Sequence, residues 1–182
     1  ALMLKAQERG HRLFHYLAED LGYEDGRVRA RARPVKVQHV QGDHFSAGDF
    51  QTLDLTADVD VVLMRQDPPF DIGYITATYL LERVARDTLV VNDPRSVRDA
   101  PEKLFVLDFA QFMPPTMISR NLADVRAFHA KHGEVVVKPL HGKAGEGVFR
   151  IGRDGTNLTA LAELFGSIWK EPFIVQAFLP AV

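Results

Sequence analysis

The chain contains no cysteine, which excludes a disulfide framework and any thiolate metal site and leaves its redox compartment unmarked. It has no apolar run near 18 residues and no signal-peptide pattern, so no membrane partner is expected and the cytoplasm is the default location. Net charge is only −2 over 182 residues, with an isoelectric point near 6.4. That balance gives no electrostatic case for nucleic acid or an anionic membrane as partner. The seven histidines show neither H-E-x-x-H nor a four-residue pairing within a predicted helix, the patterns of helix-borne metal sites. His129 and His132, three apart on a predicted helix without a carboxylate or cysteine partner, read as a surface pair. What is present, 46% apolar and 25% charged residues, is the composition of an ordinary globular protein of one large or two small domains.

The stretch that organises the rest runs from Val135 to Ile151. Val135, Val136 and Val137 end in Lys138; Gly142, Gly145 and Gly147 follow; then come Val148, Phe149 and Ile151. This reads as strand, glycine loop, strand. Glycines allow positive φ and bring backbone N–H groups close to a ligand, which suits phosphate oxygens. Lys138 is a point charge on a long stem that could reach such a phosphate. The run is neither G-x-x-x-x-G-K-[ST] nor a helix-opening G-x-G-x-x-G, and a hairpin with no ligand fits the same residues.

Upstream, 1–9 is helical in pattern from its first residue and lacks an N-cap, while Phe173–Val182 closes the chain on an apolar strand with nothing to cover it. The sequence therefore reads as part of a longer protein. His11 to Tyr16 alternates like a strand. Arg27, Arg29, Arg31 and Arg33 occupy every second position, a spacing that could form a phosphate-binding stripe, but with Asp20, Glu24, Asp25 and Asp43 around them the pattern is better read as a solvated edge strand. Asp60–Met64 and Thr88–Val91 are short apolar runs separated by an amphipathic helix over 75–83, an order that predicts a doubly wound parallel sheet. Arg65, Asp67 and Asp71 follow the first run, where parallel sheets hold ligands. An ion pair between Arg65 and Asp67 within a capped turn is the alternative.

A helix carrying Lys103, broken near Pro101, spans 96–106, and Pro114-Pro115 marks a domain boundary near residue 112. Beyond it the expected order is strand (116–119), helix (122–132, introduced by Asn121), the glycine hairpin, helix (157–169) and strand (173–176). That β-α-β-β-α-β order predicts a small α+β domain with its helices on one face of an antiparallel sheet.

Arg65-Gln66-Asp67-Pro68-Pro69-Phe70-Asp71, Asn92-Asp93-Pro94, Glu102-Lys103-Leu104-Phe105, Val137-Lys138-Pro139-Leu140 and Gln176-Ala177-Phe178-Leu179-Pro180 occur in this order. Their sequence and spacing resemble bacterial glutathione synthetase, an ATP-grasp ligase, along the whole chain. The resemblance implies an α/β protein: an N-terminal parallel-sheet domain over 1–112, then an α+β ATP-grasp lid domain over 113–182. It implies that Lys103 and Lys138 contact the nucleotide phosphates, that the loop holding Gly142, Gly145 and Gly147 closes over them, and that the backbone from Gln176 through Phe178 to Leu179 meets the adenine edge. Arg65, Asp67 and Asp71 would lie toward the γ-glutamylcysteine site. No catalytic side chain and no metal ligand is assigned within the chain. Lys143-Ala144 stands where the loop is often richer in glycine, and Ala177 replaces a commonly polar hinge residue.

The implied reaction is ATP-dependent joining of γ-glutamylcysteine to glycine through an acylphosphate, in a homo-oligomer that is a tetramer in the family. Mg²⁺ would accompany ATP, its ligands expected beyond Val182, so this chain alone is expected to be catalytically silent. Another ATP-grasp ligase joining amino acids or D-alanine, and a non-catalytic ATP-binding module, are the alternatives.

Overall fold

The computed structural model describes residues 1–141, 145–168 and 171–180. Two compact units divide the chain: Ala1–Asp67 with Asp71–Asp99, and Pro68–Phe70 with Ala100–Val182.

In the first unit, α1 (Leu2–Glu8) leads to β1 (Phe14–His15), β2 (Leu21–Glu24), β3 (Arg27–Val37), β4 (Phe45–Ala47) and β5 (Gln51–Asp54). Asp25 and Gly26 both take positive φ, 49° and 84°, the two-residue turn that Asp-Gly favours between twisted strands. Contrary to the expectation of an edge strand, β3 is the hub of this sheet, pairing antiparallel with β1, β2, β4 and β5. Alternation explains how an arginine-rich strand can be central. Val28, Ala30 and Ala32 point into the core while the arginines between them take the other face. Small alanines on the inner side leave room for Leu55, Met64, Leu81 and Val84.

The same unit continues with β6 (Val61–Leu63), α2 (Ile72–Val84), β7 (Leu89–Val91) and α3 (Pro94–Asp99). β6 and β7 pair in parallel, Val62 opposite Val90, with α2 as the connection. The β-α-β reading of this segment therefore holds, and the chain is an α/β protein. Among the described residues the parallel part is this one pair. Val62 and Val90 are buried, whereas Val61, Leu63, Leu89 and Val91 face outward.

The second unit begins with the short helix α4 (Glu102–Phe105) and a 3-10 segment over Val106–Phe112. It then runs β8 (Thr116–Ser119), α5 (Leu122–His132), β9 (Val135–Pro139), β10 (Phe149–Ile151), α6 (Leu158–Ile168) and β11 (Phe173–Ala177). This is the expected β-α-β-β-α-β order. Asn121 caps α5 by accepting from the Ala123 N–H at 2.9 Å, and Gly133 ends that helix at φ 73°. Trp169, the expected end of the second helix, lies outside the described residues.

All pairings in this four-stranded sheet are antiparallel, in the order β10-β9-β11-β8. The last strand is not the uncovered ribbon that its apolar sequence suggests. It lies between β9 and β8, and Phe173 and Val175 join Val125, Val135, Val137, Leu161 and Phe165 in one core. His129 is likewise no surface residue: it is buried, and its Nε2 lies 2.8 Å from the Gly152 carbonyl. A side chain at Gly155, which takes φ +66°, would press on its ring at 3.2 Å.

Candidate nucleotide-binding site

Strand alternation gives the second unit's sheet two faces of different chemistry. Val135, Val137 and Pro139 are buried, while Val136 and Lys138 between them turn the opposite way. The register aligns Lys138 with Ile174, and Val136 with both Arg150 and Gln176. The face away from the apolar core thus presents Lys138, Arg150 and Gln176.

α4 brings a second amine to this strand. The Lys103 ammonium donates to the carbonyl of Pro139 at 3.0 Å, one residue past Lys138. Burial pushes its pKa below the ordinary lysine value and the charge of Lys138 adds to this, while Glu102 acts in the opposite sense. Two ammonium groups near one strand end oppose each other unless an anion joins them. The arrangement can therefore hold a polyanion such as a polyphosphate.

Beyond the end of β9 the chain passes through Leu140 to His141, whose ring stacks on Phe70 with centroids 6.3 Å apart. Gly145 and Gly147 take φ of 78° and 69°, values that residues with a Cβ rarely adopt. Gly142 lies outside the described residues, as do Lys143 and Ala144.

At the other end of the sheet, Gln176 donates from Nε2 to the Thr116 hydroxyl at 3.0 Å. The Phe178 N–H donates to the Glu134 carbonyl at 2.9 Å. Its ring lies 3.9 Å beneath the Arg150 guanidinium, which also pairs with the Glu134 carboxylate. Leu179 follows, about half exposed. Sequence reasoning missed the Arg150–Glu134–Phe178 clamp. Its signal was the alternation of β10, which puts Arg150 opposite Val136, but only the register reveals it.

In the first unit, Arg65 and Asp67 are exposed just past the carboxyl end of β6, after the buried Met64. Among the described residues they form no ion pair with each other. Asp71 has a structural task, capping α2 by accepting from the Tyr74 N–H at 2.9 Å. Lys103 and Lys138 share the second unit with Gln176, Phe178 and Leu179, whereas Arg65, Asp67 and Asp71 belong to the first.

The family model described as the prokaryotic glutathione synthetase N-terminal domain matches residues 1–98, and the one described as its ATP-grasp domain matches 102–182. The chain belongs to the prokaryotic glutathione synthetase family. Among its curated relatives, glutathione synthetase from Agrobacterium fabrum is 46% identical over 182 residues, all of this chain and 57% of the relative. The one from Bradyrhizobium diazoefficiens is 50% identical over all of this chain and 58% of its own length, and that from Salmonella typhimurium is 40% identical over the same shares. The chain thus spans somewhat over half the length of the glutathione synthetases it matches.

Among solved structures, the ATP-grasp ligase PsnB complexed with a phosphomimetic variant of a minimal precursor, Mg and ADP aligns at TM-score 0.54 and 19% identity. The alignment covers 98% of this chain and 60% of that one. D-alanyl-alanine synthetase A from Vibrio cholerae aligns at TM-score 0.53 and 12% identity, over 87% and 48%. At these identities the likeness establishes the ATP-grasp fold. Among the described residues no helix is long and apolar enough to cross a membrane.

Proposed function

We propose that the full-length protein is an ATP-dependent ligase that joins γ-glutamylcysteine to glycine. Membership of the glutathione synthetase family supports the reaction class. The observation that carries the assignment of this chain's share is the amine pair, Lys103 anchored beside Lys138 at the end of β9.

In the proposed reaction a substrate carboxylate oxygen attacks the γ-phosphorus of ATP and ADP leaves. The glycine amine then attacks the acyl carbon, phosphate leaves, and the amine gives up its proton. Such transfers depend on positioning and on neutralising charge more than on covalent chemistry by the protein. Lys103 and Lys138 would hold the polyphosphate, Gly145 and Gly147 (with Gly142 before them) would let the backbone approach it, and the segment from Gln176 through Phe178 to Leu179 would meet the base. Arg65, Asp67 and Asp71 would serve the peptide substrate, with Asp71 also fixing the start of α2.

Among the described residues no group of three or more His, Cys, Asp or Glu side chains is gathered as a metal ion requires. Mg²⁺ ordinarily takes one or two carboxylates together with the nucleotide phosphates, and we place its protein ligands in the full-length protein beyond Val182. A cytoplasmic homo-oligomer, a tetramer as in the family, completes the proposal.

The test is a ligase assay on the full-length protein. Phosphate should be released from ATP only when γ-glutamylcysteine and glycine are both present, with glutathione as product. Turnover with D-alanine instead would reassign the substrate, and ATP binding without turnover would reduce the protein to a nucleotide-binding module.

A further inference from the structure

Strand β11 bonds to its two neighbours through alternate residues. On the β9 side the Phe178 N–H reaches the Glu134 carbonyl, and on the β8 side the Ala177 N–H reaches the Pro115 carbonyl, both at 2.9 Å. The β8 register, Val175 opposite Met117 and Gln176 opposite Thr116, continues to place Ala177 opposite Pro115. In an antiparallel ladder such a bonded pair exchanges two hydrogen bonds, one in each direction. Here only one can form, because proline has no N–H to return to the Ala177 carbonyl.

The placement is unusual for an edge strand. Prolines are tolerated at edges where the missing N–H would face solvent. Pro114 has that parity and Pro115 has the opposite one, so Pro115 withholds the bond that would join the ladder. The ladder does not resume beyond it, since the Met113 N–H turns to the Ala110 carbonyl at 3.1 Å. Among the described residues no backbone N–H donates to the Ala177 carbonyl, which leaves an acceptor at the end of an interior strand, in the segment proposed to meet the nucleotide base.

We propose that Pro115 is a specificity-determining residue: by withholding an N–H it keeps the Ala177 carbonyl open to accept from the exocyclic amino group of an adenine base. This rests on the nucleotide-binding reading above and adds the device that selects the base. A 6-oxo purine presents an acceptor at the same place, and two acceptors facing each other repel.

The experiment uses the full-length protein and calorimetric binding of ATP, ITP and purine riboside triphosphate, which lacks the 6-amino group. Wild type should bind ATP about three- to tenfold more tightly than purine riboside triphosphate, the loss of one neutral hydrogen bond, with ITP weaker still. Pro115→Ala supplies the missing N–H. Its preference for ATP should fall to within about twofold, with a Tm no lower than wild type. Pro114→Ala, whose new N–H faces outward, should keep the wild-type preference. Equal binding of ATP and purine riboside triphosphate by wild type would overturn the proposal without any variant, as would a folded Pro115→Ala protein that keeps the full preference. Failure of wild type to form glutathione would contradict the ligase assignment while leaving the base preference readable. Failure to bind ATP would contradict both.

Discussion

Two groups of positive side chains lie on this chain, and they are held in opposite ways. The arginines of β3 each lie against a neighbour, although the buried Arg33 Nε has no hydrogen-bond partner among the described residues. Arg27 pairs with Asp54 at 2.6 Å, Arg29 pairs with Glu24, Arg31 lies 4.2 Å over the Phe50 ring, and Arg33 lies 5.2 Å over the same ring. Lys103 and Lys138, by contrast, are brought together at one strand end, where burial disfavours the Lys103 ammonium, Glu102 favours it and the like charge of Lys138 disfavours it. A cation that already has a partner in the fold contributes to the surface of that fold. A cation pushed toward its neutral form by burial marks a place where a bound anion would stabilise the charge. Spacing in the sequence does not separate the two, because four arginines at every second position look more like a phosphate stripe than two lysines 35 positions apart.

This contrast can be tested by substitutions in the full-length protein. The largest effect should come from removing support beneath Lys138. Phe165 is 1% exposed and packs against Phe149 and Phe173 behind the sheet. Phe165→Ala should cost about 3–5 kcal/mol in chemical denaturation. Next come the amines themselves. Lys138→Ala or Lys103→Ala each removes a charge-assisted contact of about 1.5–3 kcal/mol, so ATP binding should weaken about 10- to 150-fold by calorimetry with the fold intact. The smallest effect belongs to the stripe. Arg31→Gln should leave ATP affinity within about twofold, because its attachment is to Phe50 and worth about 0.5–1 kcal/mol at an exposed site. A large loss of ATP affinity from Arg31→Gln would erase the distinction drawn here.

Much of the second unit was legible because its signals are local. Asn121 before an amphipathic run, Gly133 after it, and valines ending in Lys138 fix the bounds of α5 and β9 without reference to the rest of the chain. The misread elements depend on distant partners. β3 looked like an edge because its arginines are visible in sequence and its four partner strands are not. β11 looked uncovered because the residues flanking it come from 116–119 and 135–139. His129 looked exposed until Gly152 and Gly155 closed on it.

The candidate site divides in the same way. Lys103 and Lys138 stood out by residue type, whereas the Arg150–Phe178 contact and the position of Pro115 opposite Ala177 exist only once β9, β10, β11 and β8 are in register. The sequence places a domain boundary near residue 112, at Pro114-Pro115. That proline pair opens β8 within the second unit, while the division in packing falls between Asp99 and Ala100.

The pairing of the two lysines has a pH signature with a defined sign. A lysine whose pKa is lowered on folding holds fewer protons than the unfolded chain between its folded and its ordinary value, so its ammonium disfavours the fold below that window. The penalty disappears as pH rises through it. A bound triphosphate acts in the opposite direction by stabilising the ammonium. The most direct measurement is an NMR titration of the Lys103 side chain in the full-length protein, with and without ATP. The free protein should titrate below the ordinary lysine value of 10.5, and ATP should move the midpoint upward. An unchanged midpoint on saturation with ATP would contradict the claim that these two amines hold the nucleotide.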